Sequence, residues 1–108
     1  MVKVFLYETR RGEKPIESFI SKLNTETIAK VAHTIDLLEK HGYKLGLPHS
    51  KGLTKNLYEL RVRGKEEVRI IYTFKSNSVY LLHAFKKKSR KTPKKEISTA
   101  INRLIELN

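Results

Sequence analysis

Short apolar patterns divide the N-terminal half of the chain into a strand and two helices. Residues 2–7 carry an apolar side chain at every second position, which predicts a β-strand. A short helix is predicted to begin at Pro15, because proline suits the first helical position. From residue 25 to residue 41 apolar side chains recur every three or four positions, the pattern of an amphipathic helix. Residues 43–55 show no periodicity and are predicted to form a loop.

The C-terminal half is predicted to form three strands and a final helix. The strands cover residues 57–63, 67–74 and 79–85, and short turns join them. The helix is predicted to take Thr92 as its N-cap and Pro93 as its first residue. The side chains expected to cover the sheet recur at helical spacing: Ile97, Ala100, Ile101 and Leu104.

This order of elements predicts an α+β fold. The expected architecture is an antiparallel sheet, made of the N-terminal strand and a three-strand meander, covered by a two-helix hairpin and a C-terminal helix. A length of 108 residues is typical of one domain, so residues 1–108 are predicted to form a single domain. A hydrophobic content of 39% supports a packed core rather than disorder.

The first predicted hairpin contains an arginine pair. A three-residue turn at 64–66 places its apolar residues on one face, by pairing Tyr58 with Tyr72, Leu60 with Ile70 and Val62 with Val68. The same register sets Arg61 directly opposite Arg69 on the other face, where both are expected to be exposed, with Arg63 opposite Glu67 nearby. Like charges in this position repel by up to about 1 kcal/mol, which indicates a missing anion such as a phosphate. The alternative is two solvated arginines.

The charge of the chain also points to an anionic partner. It contains 23 Lys and Arg against 11 Asp and Glu, a formal net charge of +12. Residues 51–108 hold 15 basic and 5 acidic side chains, so the excess lies in the C-terminal half. Such asymmetry favours nucleic acid, with a merely solvated surface as the alternative.

Seven of the ten residues at positions 86–95 are basic, at the end of a predicted strand and the start of a helix. Cations in the first helical turn oppose the helix dipole, so Lys94 and Lys95 do not favour folding, but they strengthen a phosphate site. Together with the arginine pair, this segment predicts a basic groove that follows a nucleic-acid backbone. A charged flexible loop is the alternative.

Several classes of protein are not favoured. The chain has no cysteine, and its four histidines lack ligand spacing, so neither a disulfide nor a metal site is expected. No apolar run approaches the roughly 20 residues that span a bilayer. The N-terminus opens into a strand pattern rather than a leader, so a cytoplasmic protein without membrane contact is expected.

Four segments, LYELR, VRIIY, LLHAFKKK and TPKKEI, give the chain a family resemblance. Together they resemble the HigB-like, phage-related branch of the RelE/ParE superfamily of toxins from toxin-antitoxin modules. The resemblance implies a RelE-like fold and a ribosome-dependent endoribonuclease that cleaves mRNA and inhibits translation without a metal or cofactor. It also implies a cognate antitoxin, usually one with a helix-turn-helix domain.

The resemblance assigns roles to individual residues. Arg69 matches the position of a catalytic arginine, Arg61 matches a second arginine on the sheet, and Lys87 lies where RelE has an arginine. The catalytic tyrosine of RelE has no counterpart at residues 94–97. The expected RNA-binding residues are the remaining cations of the groove: Arg63, Lys86, Lys88, Arg90, Lys91, Lys94 and Lys95.

His83 is a further candidate for a catalytic base or acid, with a packed core histidine as the alternative. If Phe74 pairs with Val79, strand parity turns His83 to the apolar face, whereas pairing with Arg69 turns it to the arginine face. Two other functions stay open: a ParE-like toxin that inhibits DNA gyrase, and an RNA-binding module without catalysis.

Overall fold

A five-stranded sheet with helices on both faces forms the centre of the molecule. The computed structural model describes residues 1–107. In chain order the elements are β1 (Lys3–Leu6), α1 (Pro15–Ser21), α2 (Thr25–His41), a 3-10 turn (Gly42–Lys44), β2 (Ser50–Thr54), β3 (Leu57–Val62), β4 (Val68–Lys75), β5 (Ser78–Lys86) and α3 (Lys94–Leu107). The strand order across the sheet is β1, β5, β4, β3, β2. Within residues 1–107, no helix is long and apolar enough to cross a bilayer.

The α+β class is confirmed, but the predicted antiparallel sheet of four strands is wrong in two respects. β1 runs parallel to β5, with Val4 opposite Val79, so the sheet is mixed. β2 lies within residues 43–55, the predicted loop, and pairs antiparallel with β3, with Lys51 opposite Glu59. This strand escaped prediction because it is short, exposed at most positions and interrupted by glycine.

The register of the hairpin formed by β3 and β4 agrees with the prediction. Arg61 lies directly opposite Arg69, and the apolar pairs are Tyr58 with Tyr72, Leu60 with Ile70 and Val62 with Val68. The described ladder ends at Val62 and Val68, so Arg63 and Glu67 lie in the turn beyond it. The alternation of side chains therefore fixed this register correctly.

A two-residue turn connects β4 to β5. Ser76 and Asn77 have positive φ angles of 51° and 63°, the backbone of a type I′ turn, whose twist matches that of the flanking strands. Phe74 consequently pairs with Val79. On strand parity alone, this pairing turns His83 to the apolar face.

A β-bulge reverses that parity further along the hairpin. Tyr72 lies opposite Leu81, but the preceding Ile71 lies opposite His83, so Leu82 is an extra residue on β5. A bulge shifts all later side chains by one position. His83 therefore faces α3 rather than α1 and α2, and the expectation drawn from the Phe74 pairing is corrected.

The sheet separates two apolar clusters. The larger one lies beneath α1 and α2 and includes Ile16, Val31, Leu38, Leu60, Ile70 and Leu81. The smaller one lies beneath α3 and includes Ile71, Leu82, Phe85 and Ala100. Because both faces of β4 are covered, six consecutive residues from its start are buried. A fully buried leucine or isoleucine contributes roughly 1.5–3 kcal/mol, so both clusters hold the sheet in place.

Helix α3 packs on the sheet through three of the four residues of its predicted apolar face, Ile97, Ala100 and Leu104. Ala100 is fully buried, but Ile101, which was expected to cover the sheet, is 40% exposed. Arg103 instead donates a hydrogen bond of 2.8 Å to the carbonyl oxygen of Leu82 and stacks over the ring of Tyr7. The guanidinium of Arg103 thus ties this side of the helix to β5 and to Tyr7.

The start of α3 is also shifted from the prediction. The helix begins at Lys94, and the Pro93 carbonyl accepts a hydrogen bond of 3.0 Å from the Glu96 amide. Thr92 is therefore not the N-cap. Its hydroxyl donates a hydrogen bond to the carboxylate of Glu59 on β3, which ties the segment before α3 to the sheet.

Candidate functional site

Two open cavities adjoin on the α3 face of the sheet, with volumes of about 390 and 230 Å³. Arg61, Lys87 and Arg90 line both of them, so together they form one basic cleft. The cleft gathers seven of the eleven predicted site residues: Arg61, Arg63, Arg69, Lys87, Lys88, Arg90 and Lys91. These come from β3 and the turn after it, from β4, and from the segment between β5 and α3, and the sheet register brings them together.

Arg69 lies at the floor of the cleft. It is only 2% exposed, contrary to the expectation of an exposed charge. Its guanidinium donates hydrogen bonds of 3.0 Å to Glu67 and to the Val68 carbonyl oxygen, and its Nε lies 3.8 Å from Glu59 Oε1. Burial raises the pKa of Glu67, but hydrogen bonds from Arg69 and the Gly64 amide outweigh burial and leave that pKa lowered. Arg69 therefore neutralises the buried carboxylate of Glu59 and the partly exposed one of Glu67.

Arg61 lies opposite Arg69 but has a different environment. It is half-buried, and its Nε, like that of Arg69, is buried without a hydrogen-bond partner. Within residues 1–107 its guanidinium takes part in no ion pair. Arg61 is thus the arginine that is available to a phosphate.

Glu59 is a site residue that sequence reasoning missed. It is 2% exposed, and its carboxylate lines the smaller cavity between Arg69 and the Thr92 hydroxyl. The signal was present in the alternation of the LYELR segment, which puts Glu59 on the same face as Arg61. A buried carboxylate on a sheet face that also carries several cations is expected to form an ion pair with one of them.

Lys87 follows β5 directly, and its backbone amide donates a hydrogen bond of 2.8 Å to the Glu67 carbonyl oxygen. Burial lowers the pKa of the Lys87 ammonium, the Glu59 carboxylate raises it, and the charges of Arg69 and Arg61 lower it again, with a lowered pKa as the net result. Lys87 therefore releases its proton more readily than an ordinary lysine.

Lys86, predicted to bind RNA, lies outside the cleft. Its partner across the ladder is Val68, which belongs to the core beneath α1 and α2, so Lys86 points to that face. Its ammonium lies 2.7 Å from Glu66 and holds the pKa of that carboxyl at about 2. Lys86 thus forms an ion pair on the opposite side of the sheet.

His83, Lys94 and Lys95 also lie away from the lining of the cleft. His83 Nε2 is 2.7 Å from Glu96 Oε1, and its Nδ1 is 3.3 Å from an Arg103 nitrogen. Both ring nitrogens therefore contact α3. Lys94 and Lys95 are exposed in the first turn of that helix. Among the described residues, no group of three or more His, Asp or Glu is arranged to hold a metal ion.

Comparison with known proteins identifies the family. The family model described as Phage derived protein Gp49-like (DUF891) matches residues 18–105, most of the chain. The chain belongs to the Gp49-like family. This family is part of the RelE/ParE-like toxin superfamily and consists of toxins from toxin-antitoxin systems. No curated protein matches the chain.

The Gp49-like match includes every element that builds the basic cleft. β2, β3, β4, β5 and most of α3 lie within residues 18–105. The predicted membership of the RelE/ParE superfamily is confirmed at this level. The cleft is therefore part of a toxin domain, and its cations are candidates for contact with the toxin's target.

Proposed function

We propose that this Gp49-like protein is a HigB-type toxin that cleaves mRNA on the ribosome, with the basic cleft as its RNA site. The observation that supports this most strongly is that one cleft is lined by Arg61, which takes part in no ion pair within residues 1–107, and by Lys87, a lysine of lowered pKa. Groups with such altered properties cluster at functional sites.

The cleft suits binding of a single RNA phosphate. Lys88 and Arg90 are exposed at its rim and attract the backbone, while Arg61 presents a planar fork of donors to the phosphate oxygens. Arg69 stays beneath them and keeps Glu59 and Glu67 compensated. In this proposal Arg69 holds the side chains at the floor of the cleft in place and does not contact RNA.

The reaction uses a nucleophile that RNA itself carries. The 2′-hydroxyl attacks the adjacent phosphorus and loses its proton to water, while the bond to the 5′-oxygen breaks. Lys87 donates a proton to that leaving oxygen, and Arg61 stabilises the negative charge on the phosphorane. The products are a 2′,3′-cyclic phosphate and a free 5′-hydroxyl. No histidine lines either cavity of the cleft, so His83 has no part in this scheme.

The partners in this proposal follow from the family. They are mRNA on the ribosome and a cognate antitoxin, with a helix-turn-helix domain on the antitoxin and a cytoplasmic location for the complex. The high net charge of +12 supports an RNA-rich target, because electrostatic attraction speeds association with an anionic surface.

The experiment adds purified protein to a reconstituted translation reaction and maps the 5′ ends of a defined mRNA. New internal ends that require translating ribosomes are expected. RNA binding without new ends would contradict the proposal and favour a non-catalytic module. Inhibition of supercoiling by purified DNA gyrase, without new mRNA ends, would favour a ParE-like toxin instead.

A further inference from the structure

A second cleft lies on the opposite face of the sheet from the basic cleft. It has a volume of about 420 Å³ and is formed between α2 and the β2–β3 edge, with Ala29, Thr34, Pro48 and Val62 in its lining. Most of its lining atoms are apolar. We call it the apolar cleft. Its volume falls within the range of sites that bind organic ligands or side chains of a partner.

Hydrogen bonds hold the walls of the apolar cleft in position. The Arg61 amide donates a hydrogen bond of 2.8 Å to the His49 carbonyl oxygen, which fixes the β2 side. The Lys30 ammonium donates a hydrogen bond of 3.4 Å to the Arg63 carbonyl oxygen, which links α2 to the end of β3. A cleft that exists before binding avoids the cost of ordering its walls.

The charged residues at this cleft all have the same sign. Lys30, Arg61 and Arg63 line it together with His33 and His49, and no aspartate or glutamate is among its described lining residues. An apolar floor within a cationic rim is complementary to an amphipathic segment that carries apolar and acidic side chains. The floor lacks the donors that hold an RNA backbone, so a protein segment fits better than RNA.

Two residues connect this cleft to the RNA site. Arg61 and Arg63 line both the apolar cleft and the larger cavity of the basic cleft, at the edge where the two faces of the sheet meet. Carboxylates that bind Arg61 and Arg63 from the apolar cleft would neutralise the charge that attracts a phosphate to the basic cleft. Occupation of one cleft should therefore weaken binding in the other.

We propose that the apolar cleft binds an acidic amphipathic segment of a partner protein, the antitoxin in this family, and that this segment competes with RNA through Arg61 and Arg63. The competition with RNA rests on the proposed function, whereas docking in the apolar cleft does not. The two parts can therefore be tested separately.

The docking test uses two alanines on α2. Ala29 and Ala32 are both exposed, but only Ala29 lines the apolar cleft. Ala29→Glu should weaken binding of the purified product of the neighbouring reading frame at least tenfold by calorimetry, because it adds an anion where acidic side chains dock. Ala32→Glu is the matched control and should bind as the unmodified chain does. Equal affinities for the two variants, or no binding of that product to the unmodified chain, would overturn the proposal.

The competition test measures binding of a short single-stranded RNA to the free chain and to the complex. The complex should bind this RNA at least tenfold more weakly than the free chain does. Equal RNA affinity of free and complexed chain would overturn the competition. Absence of RNA binding by the free chain would refute the proposed function while leaving the calorimetric result intact.

Discussion

Arg61 and Arg69 face each other across two strands, yet their surroundings give them different tasks. Arg69 is buried and engaged by Glu59 and Glu67, so its charge is already compensated within the chain. Arg61 takes part in no ion pair within residues 1–107. The same residue type thus serves stability at one position and, in our proposal, transition-state stabilisation at the other.

Removal of Arg69 should destabilise the protein. Arg69→Ala should lower the free energy of unfolding by about 3 kcal/mol, because it leaves the buried Glu59 carboxylate without its cation. Urea denaturation measures this loss. The double variant Arg69→Met with Glu59→Gln should recover part of it, because no uncompensated charge stays buried. A single variant as stable as the unmodified chain would show that Glu59 does not depend on Arg69.

Lys87 should give cleavage an alkaline limit. Its pKa is lowered from the ordinary lysine value, so the donating, protonated form is lost as pH rises through that lowered pKa. The cleavage rate should therefore fall at a lower pH than the titration of an ordinary lysine would give. Lys87→Arg should bind RNA but lose cleavage, because arginine keeps its proton at any working pH. pH–rate profiles of both proteins test this, and normal cleavage by Lys87→Arg would rule out Lys87 as the proton donor.

At the scale of elements, the hairpin of β3 and β4 was predictable and its neighbours were not. Alternation fixed the register of Arg61 with Arg69 because a slip of one residue would have turned every apolar side chain to the wrong face. Alternation does not reveal which strand lies beside β1 or in which direction. The parallel pairing with β5 depends on the packing of α1 and α2, which no local pattern encodes.

The basic cleft was predicted in outline because alternation of side chains fixes the register of β3 with β4. The register and the basic segment together gave the cations of the cleft. The bulge opposite Ile71 then moved His83 to α3, and the strand parity of Lys86 took it out of the cleft. Contacts between side chains were the least predictable part of the site, since the contact between Glu59 and Thr92 joins residues 33 positions apart in the chain.

The contact between Thr92 and Glu59 should hold the basic segment before α3 against the sheet. Thr92→Val removes the hydroxyl while keeping the shape, and should cost about 1–3 kcal/mol because Glu59 loses a buried hydrogen bond. Amide exchange in residues 87–93 should become faster. Thr92→Ser is the control, because it keeps the hydroxyl and should exchange more slowly than Thr92→Val. Identical exchange in both variants would show that the hydroxyl does not hold this segment.

At the scale of the whole molecule, the sheet separates a basic cleft from an apolar one, and only the basic cleft should determine the salt dependence of RNA binding. Lys88→Ala with Arg90→Ala should reduce the slope of log affinity against log salt by about 1.4, because each phosphate contact on single-stranded RNA contributes about 0.7. Lys94→Ala with Lys95→Ala removes the same charge outside the cleft and should change the slope less. Equal changes would indicate that net charge alone binds RNA.

The most direct test of the account compares mRNA cleavage by Arg61→Ala and Lys95→Ala in a reconstituted translation reaction. Each variant removes one positive charge, but only Arg61 lines the cleft. Arg61→Ala should reduce the cleavage rate by about 10²-fold or more, as expected for loss of a donor to the transition state, and Lys95→Ala should cleave at nearly the unmodified rate. Cleavage by folded Arg61→Ala at the unmodified rate would contradict the central claim that this cleft cuts RNA.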